Sequence, residues 1–357
     1  MPDFKGRLTD GKIFGTFLDN EANPSLDEAD AGILGVAFDS TASYKKGTRL
    51  GPQAIMQASH QIEYPPTGSM ERLSDLVKLH FVGILEYPEV EEHEDIDAVS
   101  KAMVAEVQSI SEKILSRKKL LALLGGEHSV LNGTLKALGS IYQPADITIL
   151  QIDAHLDLRK DFDGLKFSHG SIMRNALGAG FKAVQIGIRD QISGREDTGG
   201  EAEFIAKARL AGRIFYCATQ PGDFYSGREK LGRWIERDNL IYDGQVNESQ
   251  AKSIESLIST KYLWITIDVD GFDPAIFPGT GTPLPHGLTL PGVERLIYTL
   301  LTKQQTKLLG FDIVEVAPQM RTDARKYSPR ETVSTVTEMN AALLAYKIFF
   351  WNFLQRF

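Results

Sequence analysis

The chain has 357 residues, 42% of them hydrophobic and 24% charged, which suits a folded chain with a large buried core. Lysine and arginine number 39 against 47 aspartates and glutamates, so the formal net charge is −8, which argues against a nucleic-acid partner and suits a small cationic substrate. The single cysteine, Cys217, excludes an intrachain disulfide and a thiolate metal cluster within one chain.

The two ends of the chain predict a cytoplasmic protein with no membrane partner. Residues 1–20 mix charged and apolar side chains and lack the continuous apolar run of a signal peptide. The most apolar stretch, residues 341–354, contains Lys347 and Asn352 and is shorter than the ~20 residues that a membrane helix needs. We expect it to form a helix that is buried or faces another subunit.

Apolar, β-branched runs alternate with helical patterns along the chain. The predicted strands are residues 33–38, 79–85, 120–124, 147–152, 184–188, 213–217, 263–267 and 308–314, with helical patterns at 96–117 and 253–259 among those between them. This alternation predicts βαβ units, and the continuous apolar character of the strands indicates a sheet covered on both faces. The predicted fold class is α/β, a three-layer α/β/α sandwich with a mainly parallel sheet of about eight strands.

We find no internal repeat or low-complexity segment, and we predict one domain over residues 1–357. Residues 1–30 are then an N-terminal extension and residues 331–357 a C-terminal helix. The polar, glycine-rich stretch 193–200 is predicted to be an inserted surface loop. Residues 178–183 fit a dinucleotide-binding glycine pattern, but they follow a helix and precede a strand, so we predict a helix end and a turn.

The first cluster with chemical potential is Gly-Gly-Glu-His-Ser at residues 125–129, directly after the predicted strand 120–124. Glycines at the carboxyl end of a strand permit a tight turn that places the next side chain over the sheet edge, where open α/β folds bind ligands. His128 is therefore expected to face this crevice, although such a histidine taken alone is more often structural than a ligand.

A second cluster, Asp-Ala-His-Leu-Asp at residues 153–157, follows the next predicted strand. Residues two apart in an extended chain point the same way, so Asp153, His155 and Asp157 can converge. A half-buried strand with a polar face does not explain this pattern, because aspartate is depleted in strands.

The third cluster, Asp-Val-Asp-Gly-Phe-Asp-Pro at residues 268–274, aligns Asp268 and Asp270 by the same spacing argument and ends in a predicted turn. Together with Asp153 and Asp157 these residues form four carboxylates that would repel one another strongly. Two divalent cations would balance the four negative charges.

The ligand types indicate which metal such a site would take. Carboxylate oxygens with about one imidazole per ion suit Mn²⁺ better than Zn²⁺, which prefers more nitrogen or sulfur. Two ions ~3.5–4 Å apart can deprotonate a water at neutral pH and so supply a hydroxide nucleophile. The sequence therefore predicts hydrolysis at an electron-poor centre.

These three clusters resemble, in the right order, the metal-binding signatures of the ureohydrolase (arginase/agmatinase/formiminoglutamase) family. Residues 35–38 and 44–52 resemble the N-terminal segment of that family, and residues 310–318 its last active-site strand. The resemblance covers roughly residues 33–350 and is closest to agmatinases. It implies an arginase-like fold, a homo-oligomer of three or six chains, and a part in polyamine biosynthesis.

The resemblance also implies two Mn²⁺ per chain and assigns their ligands. One ion would be held by His128, Asp153, Asp157 and Asp268, and the other by Asp153, His155, Asp268 and Asp270, so that Asp153 and Asp268 bridge.

Three catalytic residues are implied as well. Glu315 would receive the substrate guanidinium, His169 would carry a proton to the leaving amine, and Asp157 would hold the hydroxide and help to pass on its proton. For Glu315 the alternative is a salt bridge at a strand end. The remaining histidines outside the metal clusters are expected to be structural or solvent-facing: His60, His80, His93 and His286.

The expected reaction is hydrolysis of agmatine to putrescine and urea. Other ureohydrolase activities remain alternatives, namely guanidinobutyrase, arginase and formiminoglutamase, as does a non-catalytic relative. A two-metal phosphatase or amidase on an unrelated sheet is disfavoured, because the acidic Glu315 does not suit an anionic substrate.

The segment 165–170 indicates which guanidino compound fits. Arginases carry a Ser-Gly-Asn-x-His-Gly run there, whose polar groups hold the amino-acid end of arginine, and this chain lacks the asparagine. Lys166 or Arg174 could instead favour a guanidino acid. Three departures leave the substrate open: His286 where many relatives have glycine, and the segments 191–202 and 321–330.

Overall fold

The computed structural model describes residues 4–9, 17–19, 23–62, 72–190, 204, 213–218, 240–303, 306–318 and 336–354. The predicted loop 193–200 and the atypical segments 191–202 and 321–330 lie outside the described residues.

A ten-stranded sheet forms the middle of the molecule. Its strands are β1 (Arg7–Thr9), β2 (Ala31–Ala37), β3 (Leu79–Glu86), β4 (Leu120–Gly125), β5 (Ile147–Ile152), β6 (Lys182–Ile188), β7 (Arg213–Ala218), β8 (Leu240–Tyr242), β9 (Tyr262–Asp268) and β10 (Lys307–Val314). All eight predicted strands are present, within two residues of the predicted ends. The two strands that were not predicted, β1 and β8, have three residues each and form the two edges of the sheet.

The order of the strands places four motifs side by side. The sheet runs β1-β3-β2-β4-β10-β9-β5-β6-β7-β8, and every pair is parallel except β1 with β3. The strands β4, β10, β9 and β5 are consecutive neighbours, and each is followed by one of the motifs found in the sequence. Since parallel strands end at the same edge of a sheet, the four motifs meet there.

Helices cover both faces of the sheet. They are α1 (Gly51–Ser59), α2 (Leu73–Leu76), α3 (His93–Leu115), α4 (Leu131–Ile141), α5 (Ile172–Gly178), α6 (Glu248–Leu257), α7 (Leu290–Thr302) and α8 (Val336–Phe353). The helices α1, α6, α7 and α8 pack in one layer, and α3, α4 and α5 pack in the other. Each helix layer packs against the strands and forms its own cluster of buried hydrophobic residues with them. The predicted three-layer α/β/α sandwich is confirmed.

The C-terminal helix α8 is buried on nearly all sides, as its apolar sequence predicts. Its Phe349 contacts Phe17 and Phe311 edge-on, with ring centroids 6.0 and 5.1 Å apart. Lys347, the one basic residue in the apolar run, pairs with Glu294 of α7 at 2.6 Å. None of the described helices combines the length and the apolar character that crossing a bilayer requires.

Candidate metal centre and active site

The predicted site residues meet at the carboxyl edge of the four central strands. His128 lies in the turn after β4, Asp153 to Asp157 follow β5, and Asp268 closes β9. Glu315 is the first residue after β10. Asp157 and Glu315 both have left-handed backbone angles, with φ of 52° and 62°, which are uncommon for non-glycine residues.

The deeper half of the centre surrounds the imidazole of His128. Its Nδ1 atom lies 3.2 Å from Asp153 Oδ2, 3.1 Å from Asp157 Oδ2 and 3.5 Å from Asp268 Oδ2. The side chain is 1% exposed, and Nδ1 has no hydrogen-bond partner in the described structure. Three carboxylate oxygens therefore converge on one buried nitrogen.

A hydrogen-bond chain behind His128 determines what that nitrogen can do. Thr266 Oγ1 donates to Asp312 Oδ1 at 2.6 Å, so its hydrogen is not available to His128. Thr266 Oγ1 must therefore accept a hydrogen bond from His128 Nε2, which lies 2.8 Å away. In the neutral imidazole this leaves a lone pair on Nδ1 facing three anions. Such an arrangement fits a cation between them and mirrors the usual support of metal-binding histidines.

The outer half of the centre is built around His155. Its Nδ1 atom lies 3.1 Å from Asp270 Oδ2 and 3.6 Å from Asp153 Oδ1. The His155 side chain is 25% exposed, so this half opens toward solvent. Two groups thus have the geometry to hold a metal ion, His128 with Asp153 and Asp268, and Asp153 with His155 and Asp270, and Asp153 belongs to both.

Neighbouring donors fix the orientation of the carboxylates. Asp153 accepts hydrogen bonds from the Gln151 side chain at 2.5 Å and from the His155 backbone at 2.6 Å. Asp270 accepts from the Thr282 hydroxyl at 2.9 Å and from the Ala154 backbone at 3.2 Å. These contacts hold the carboxylate oxygens of Asp153 and Asp270 in place.

Two carboxylates of the centre have raised pKa values. Burial, together with the charge of Asp153, raises the pKa of Asp157 to about 7. Burial also raises the pKa of Asp268 well above its usual value, and Asp270 adds to the effect. Carboxylates in this state gain most from divalent cations, which restore the ionised form that binds metal.

Glu315 lies beside the two candidate metal-binding groups, and the two oxygens of its carboxylate have different surroundings. Its Oε1 accepts from the backbone N–H of His128 at 2.8 Å. Its Oε2 receives no hydrogen bond from the described residues, and a Cβ added to Gly281 would lie 3.5 Å from it, an ordinary contact distance. Oε2 is therefore available to accept hydrogen bonds from a ligand. Burial raises the pKa of Glu315, and the charge of Glu127 adds to that effect.

His169 lies at the other side of the site, in the turn before α5. Its Nε2 is 3.2 Å from Ser43 Oγ, and its ring packs against Phe162 at a centroid distance of 5.0 Å. Burial lowers the pKa of His169 to about 4, so that its imidazole is neutral at pH 7. A neutral imidazole can accept a proton at one nitrogen and release one from the other.

Several residues with contacts in the site were missed from the sequence, among them Ser43, Thr266, Thr282 and Asp312. Thr266 precedes Asp268 by two positions on β9, so the spacing argument could have found it. An aspartate inside an apolar strand was the available signal for Asp312. No sequence signal marks Ser43 or Thr282. The histidines expected to lie outside the metal groups do so where described, with His80 bound to Pro24 O and His286 exposed.

Comparison with known proteins identifies the family of the chain. The model of the arginase family matches residues 29–212 and 217–350. The chain belongs to the arginase family. Among relatives of this arginase-family chain, the agmatinase of Pyrococcus horikoshii is 32% identical over 298 residues, covering 82% of this chain and 87% of the relative. The N(1)-aminopropylagmatine ureohydrolase of Synechocystis sp. is 29% identical over 343 residues, covering 95% of each chain.

A solved structure has a similar fold. The solved structure of a hypothetical agmatinase from Burkholderia thailandensis has a TM-score of 0.66 at 22% identity, covering 96% of this chain and 91% of that one. The predicted membership of the ureohydrolase family, with agmatinase-like relatives, is therefore confirmed, and this arginase-family chain is a hydrolase.

Proposed function

We propose that this chain is a binuclear manganese ureohydrolase that cleaves agmatine to putrescine and urea. The observation that carries the proposal is the buried His128 Nδ1 facing three carboxylates, with the open oxygen of Glu315 beside it. The first arrangement suits cations and the second suits a planar guanidinium. We propose that the whole chain forms one cytoplasmic domain and assembles into a homo-oligomer.

The proposed ligand sets are those expected from the family. His128, Asp153, Asp157 and Asp268 would hold one ion, and Asp153, His155, Asp268 and Asp270 the other. One imidazole per ion among carboxylates supports Mn²⁺ over Zn²⁺. When bound, two such ions supply a hydroxide nucleophile at neutral pH.

The chain's own residues would orient the substrate and move the protons. Glu315 Oε2 accepts the paired N–H groups of the guanidinium, which fixes the central carbon over the carboxylate cluster. Asp157 accepts a hydrogen bond from the attacking water. Neutral His169, held by Ser43, takes up a proton and delivers one to the leaving amine.

The substrate proposal rests on the segment that begins after the second metal cluster. Arg174, one candidate partner for a substrate carboxylate, donates to Leu158 O at 3.2 Å and stacks on Phe204 at 3.6 Å. Lys166 is exposed and lies over Phe167. Neither is set to receive an amino-acid end, and the names of the two relatives refer to agmatine and its aminopropyl derivative.

A guanidino acid is the second candidate, because Arg159 favours it. The Arg159 guanidinium lies 4.9 Å from the Phe162 ring, which in turn contacts His169, so a cation borders the pocket. A substrate with a carboxylate at its far end would pair with that cation, whereas agmatine would bring an ammonium toward it.

The test is urea release by the manganese-loaded protein from agmatine, N1-aminopropylagmatine, guanidinobutyrate and arginine, with formamide release measured for formiminoglutamate. We expect kcat/KM for agmatine to exceed that for arginine at least ~100-fold, a gap of about 2.7 kcal/mol, because an unpaired α-carboxylate and α-ammonium are costly to desolvate. Putrescine and urea should appear in equal amounts. Comparable values for agmatine and arginine would refute the substrate argument, and preference for guanidinobutyrate would establish the second candidate.

A further inference from the structure

Arg189, the first residue after β6, lies where several loops of the site meet. Its side chain donates to six backbone carbonyls: Nε to Pro285 at 2.8 Å, Nη1 to Gly187 at 3.2 Å and Gly271 at 3.1 Å, and Nη2 to Asp270 at 2.6 Å, Leu284 at 2.6 Å and Phe272 at 3.2 Å. Within the described ranges no carboxylate forms an ion pair with this guanidinium. Its bonding capacity is used on the main chain.

The same residue contacts the other metal-binding segment through its backbone. Arg189 N–H donates to the carbonyl of Ala154 at 2.9 Å, and Ala154 lies between Asp153 and His155. Arg189 thus joins two segments of the centre, the one after β5 by its main chain and the one after β9 by its side chain.

A third segment is tied to the same guanidinium. The carbonyls of Leu284 and Pro285 belong to the stretch that carries Thr282, and the Thr282 hydroxyl donates to Asp270 Oδ2. The Arg189 guanidinium therefore holds both the main chain of Asp270 and the stretch that supports the Asp270 side chain.

Only arginine has the geometry for these contacts. It offers five N–H donors in a planar fork, whereas a lysine ammonium offers three from a single point. Replacing it would leave half-buried carbonyls without donors and would allow the turn after β9 to shift against the segment after β5. Metal ligation tolerates little movement, since metal–ligand distances hold within about 0.2 Å.

We propose that Arg189 is a positioning residue that sets the distance between the Asp153–His155 segment and Asp270. It thereby sets the affinity with which Asp153, His155 and Asp270 bind a cation. Because its guanidinium is engaged by main-chain carbonyls, Arg189 acts through the backbone of Asp270. The proposal rests on the proposed function only in taking Asp153, His155 and Asp270 as ligands of a cation.

The experiment compares Arg189→Lys and Arg189→Gln with Arg295→Lys. Among the described residues, Arg295 of α7 donates to one backbone carbonyl, that of Val246 at 2.8 Å, away from the centre, so it is the matched control. Each chelated full-length protein is equilibrated with Mn²⁺ over a range of concentrations, and bound metal per chain is measured. The Tm of each protein is recorded without metal and at saturation.

We expect the Arg189 variants to bind one ion at least ~10-fold more weakly than wild type while the other ion is retained, as for changes in the support of metal ligands. Arg295→Lys should match wild type. Raising Mn²⁺ should restore most of kcat to Arg189→Lys, because a positioning residue is not part of the chemistry, whereas a merely structural defect lowers Tm without changing metal affinity.

Metal affinity within threefold of wild type in the folded Arg189 variants would overturn the proposal, as would an equal loss in Arg295→Lys. Failure of both Arg189 variants to fold in saturating Mn²⁺ would also contradict it, since a positioning role requires a folded chain. A wild-type chain that binds no divalent ion would overturn it too. Wild-type protein that binds metal but releases no urea would refute the proposed reaction alone, because the metal comparison can still be made.

Discussion

At the scale of single residues, the centre depends on side chains that never touch the proposed ions. Thr266 and Asp312 fix the His128 ring so that Nδ1 faces the carboxylates. Trp264 adds a second bond to Asp312 at 2.6 Å, which holds that carboxylate in turn. The His128 ligand atom is therefore positioned by a chain of buried groups on β9 and β10.

The two carboxylates proposed to bridge the ions give the first prediction at this scale. Asp153→Ala and Asp268→Ala, the two junction variants, should each lower kcat/KM more than ~100-fold, because each removes a proposed bridge between the ions. Asp273 only caps the following turn, accepting from Ala275 N–H at 2.9 Å, so Asp273→Ala is the matched control and should retain its metal. Metal analysis and urea release distinguish the two classes. Two ions per chain and normal turnover in both junction variants would refute the bridging assignment.

His169 gives a prediction about pH. Burial lowers its pKa from 6.5 to about 4, so between these values the unfolded state binds more protons than the folded state. The free energy of unfolding should therefore fall as the pH falls from 6.5 toward 4, by about 2–3 kcal/mol from this group. His169→Gln should lose that part of the pH dependence, measured by denaturant unfolding of both chelated proteins at pH 7 and 4.5. Equal pH dependence in the two proteins would mean that His169 is not buried in its neutral form.

Five of the six proposed metal ligands stand out in the sequence because aspartate and histidine at alternate positions beyond apolar strands have few structural explanations, whereas His128 taken alone is more often structural. The sequence could not reveal Ser43 or Thr282, because their contacts with His169 and Asp270 depend on loops that meet only in three dimensions. Arg189 was missed for the same reason, since its carbonyl acceptors lie 81 to 96 positions away along the chain, apart from Gly187.

At the scale of elements, the turn between β4 and His128 requires close backbone packing. A Cβ on Gly126 would lie 2.0 Å from the carbonyl oxygen of Phe38, which is far inside contact distance. Gly126 N–H donates to Val36 O at 2.7 Å, so the turn is fastened to the end of β2. Glycine is needed at position 126 because two backbone segments are in contact there. Its backbone angle is not in the left-handed region.

Gly126→Ala should therefore lower the free energy of unfolding by about 2 kcal/mol or more, because the turn must move away from Phe38. A Cβ added to Gly178, the last residue of α5, would have nothing within 4 Å, so Gly178→Ala is the control and should change stability by less than about 1 kcal/mol. Denaturant unfolding measures both variants. A loss for Gly126→Ala no larger than that for Gly178→Ala would contradict the close-packing account.

Strands were easier to predict than helix ends. The apolar runs of the central strands are long and continuous, whereas β1 and β8 have only three residues each. The helix predicted at 253–259 begins five residues earlier, at Glu248, because Asn247 and Gln250 form a capping box. That pair is visible in the sequence, so the error lay in following the apolar periodicity alone.

At the scale of the whole molecule, the sheet gathers carboxylates that are far apart in the sequence into one buried cluster. Asp153, Asp157, Asp268 and Asp270 lie on two strand ends that are neighbours only because β5 pairs with β9. The order of the strands could not be read from the alternation of strands and helices, which is compatible with several arrangements. The family resemblance implied the fold that brings them together.

The most direct measurement is a Mn²⁺ titration of the exhaustively chelated protein, with Tm, bound metal and urea release from agmatine followed in the same samples. Because ions that bind only the folded chain stabilise it, we predict that Tm and urea release rise together and level off near two ions per chain. Unchanged Tm and undiminished urea release in protein shown by metal analysis to be empty would contradict the account.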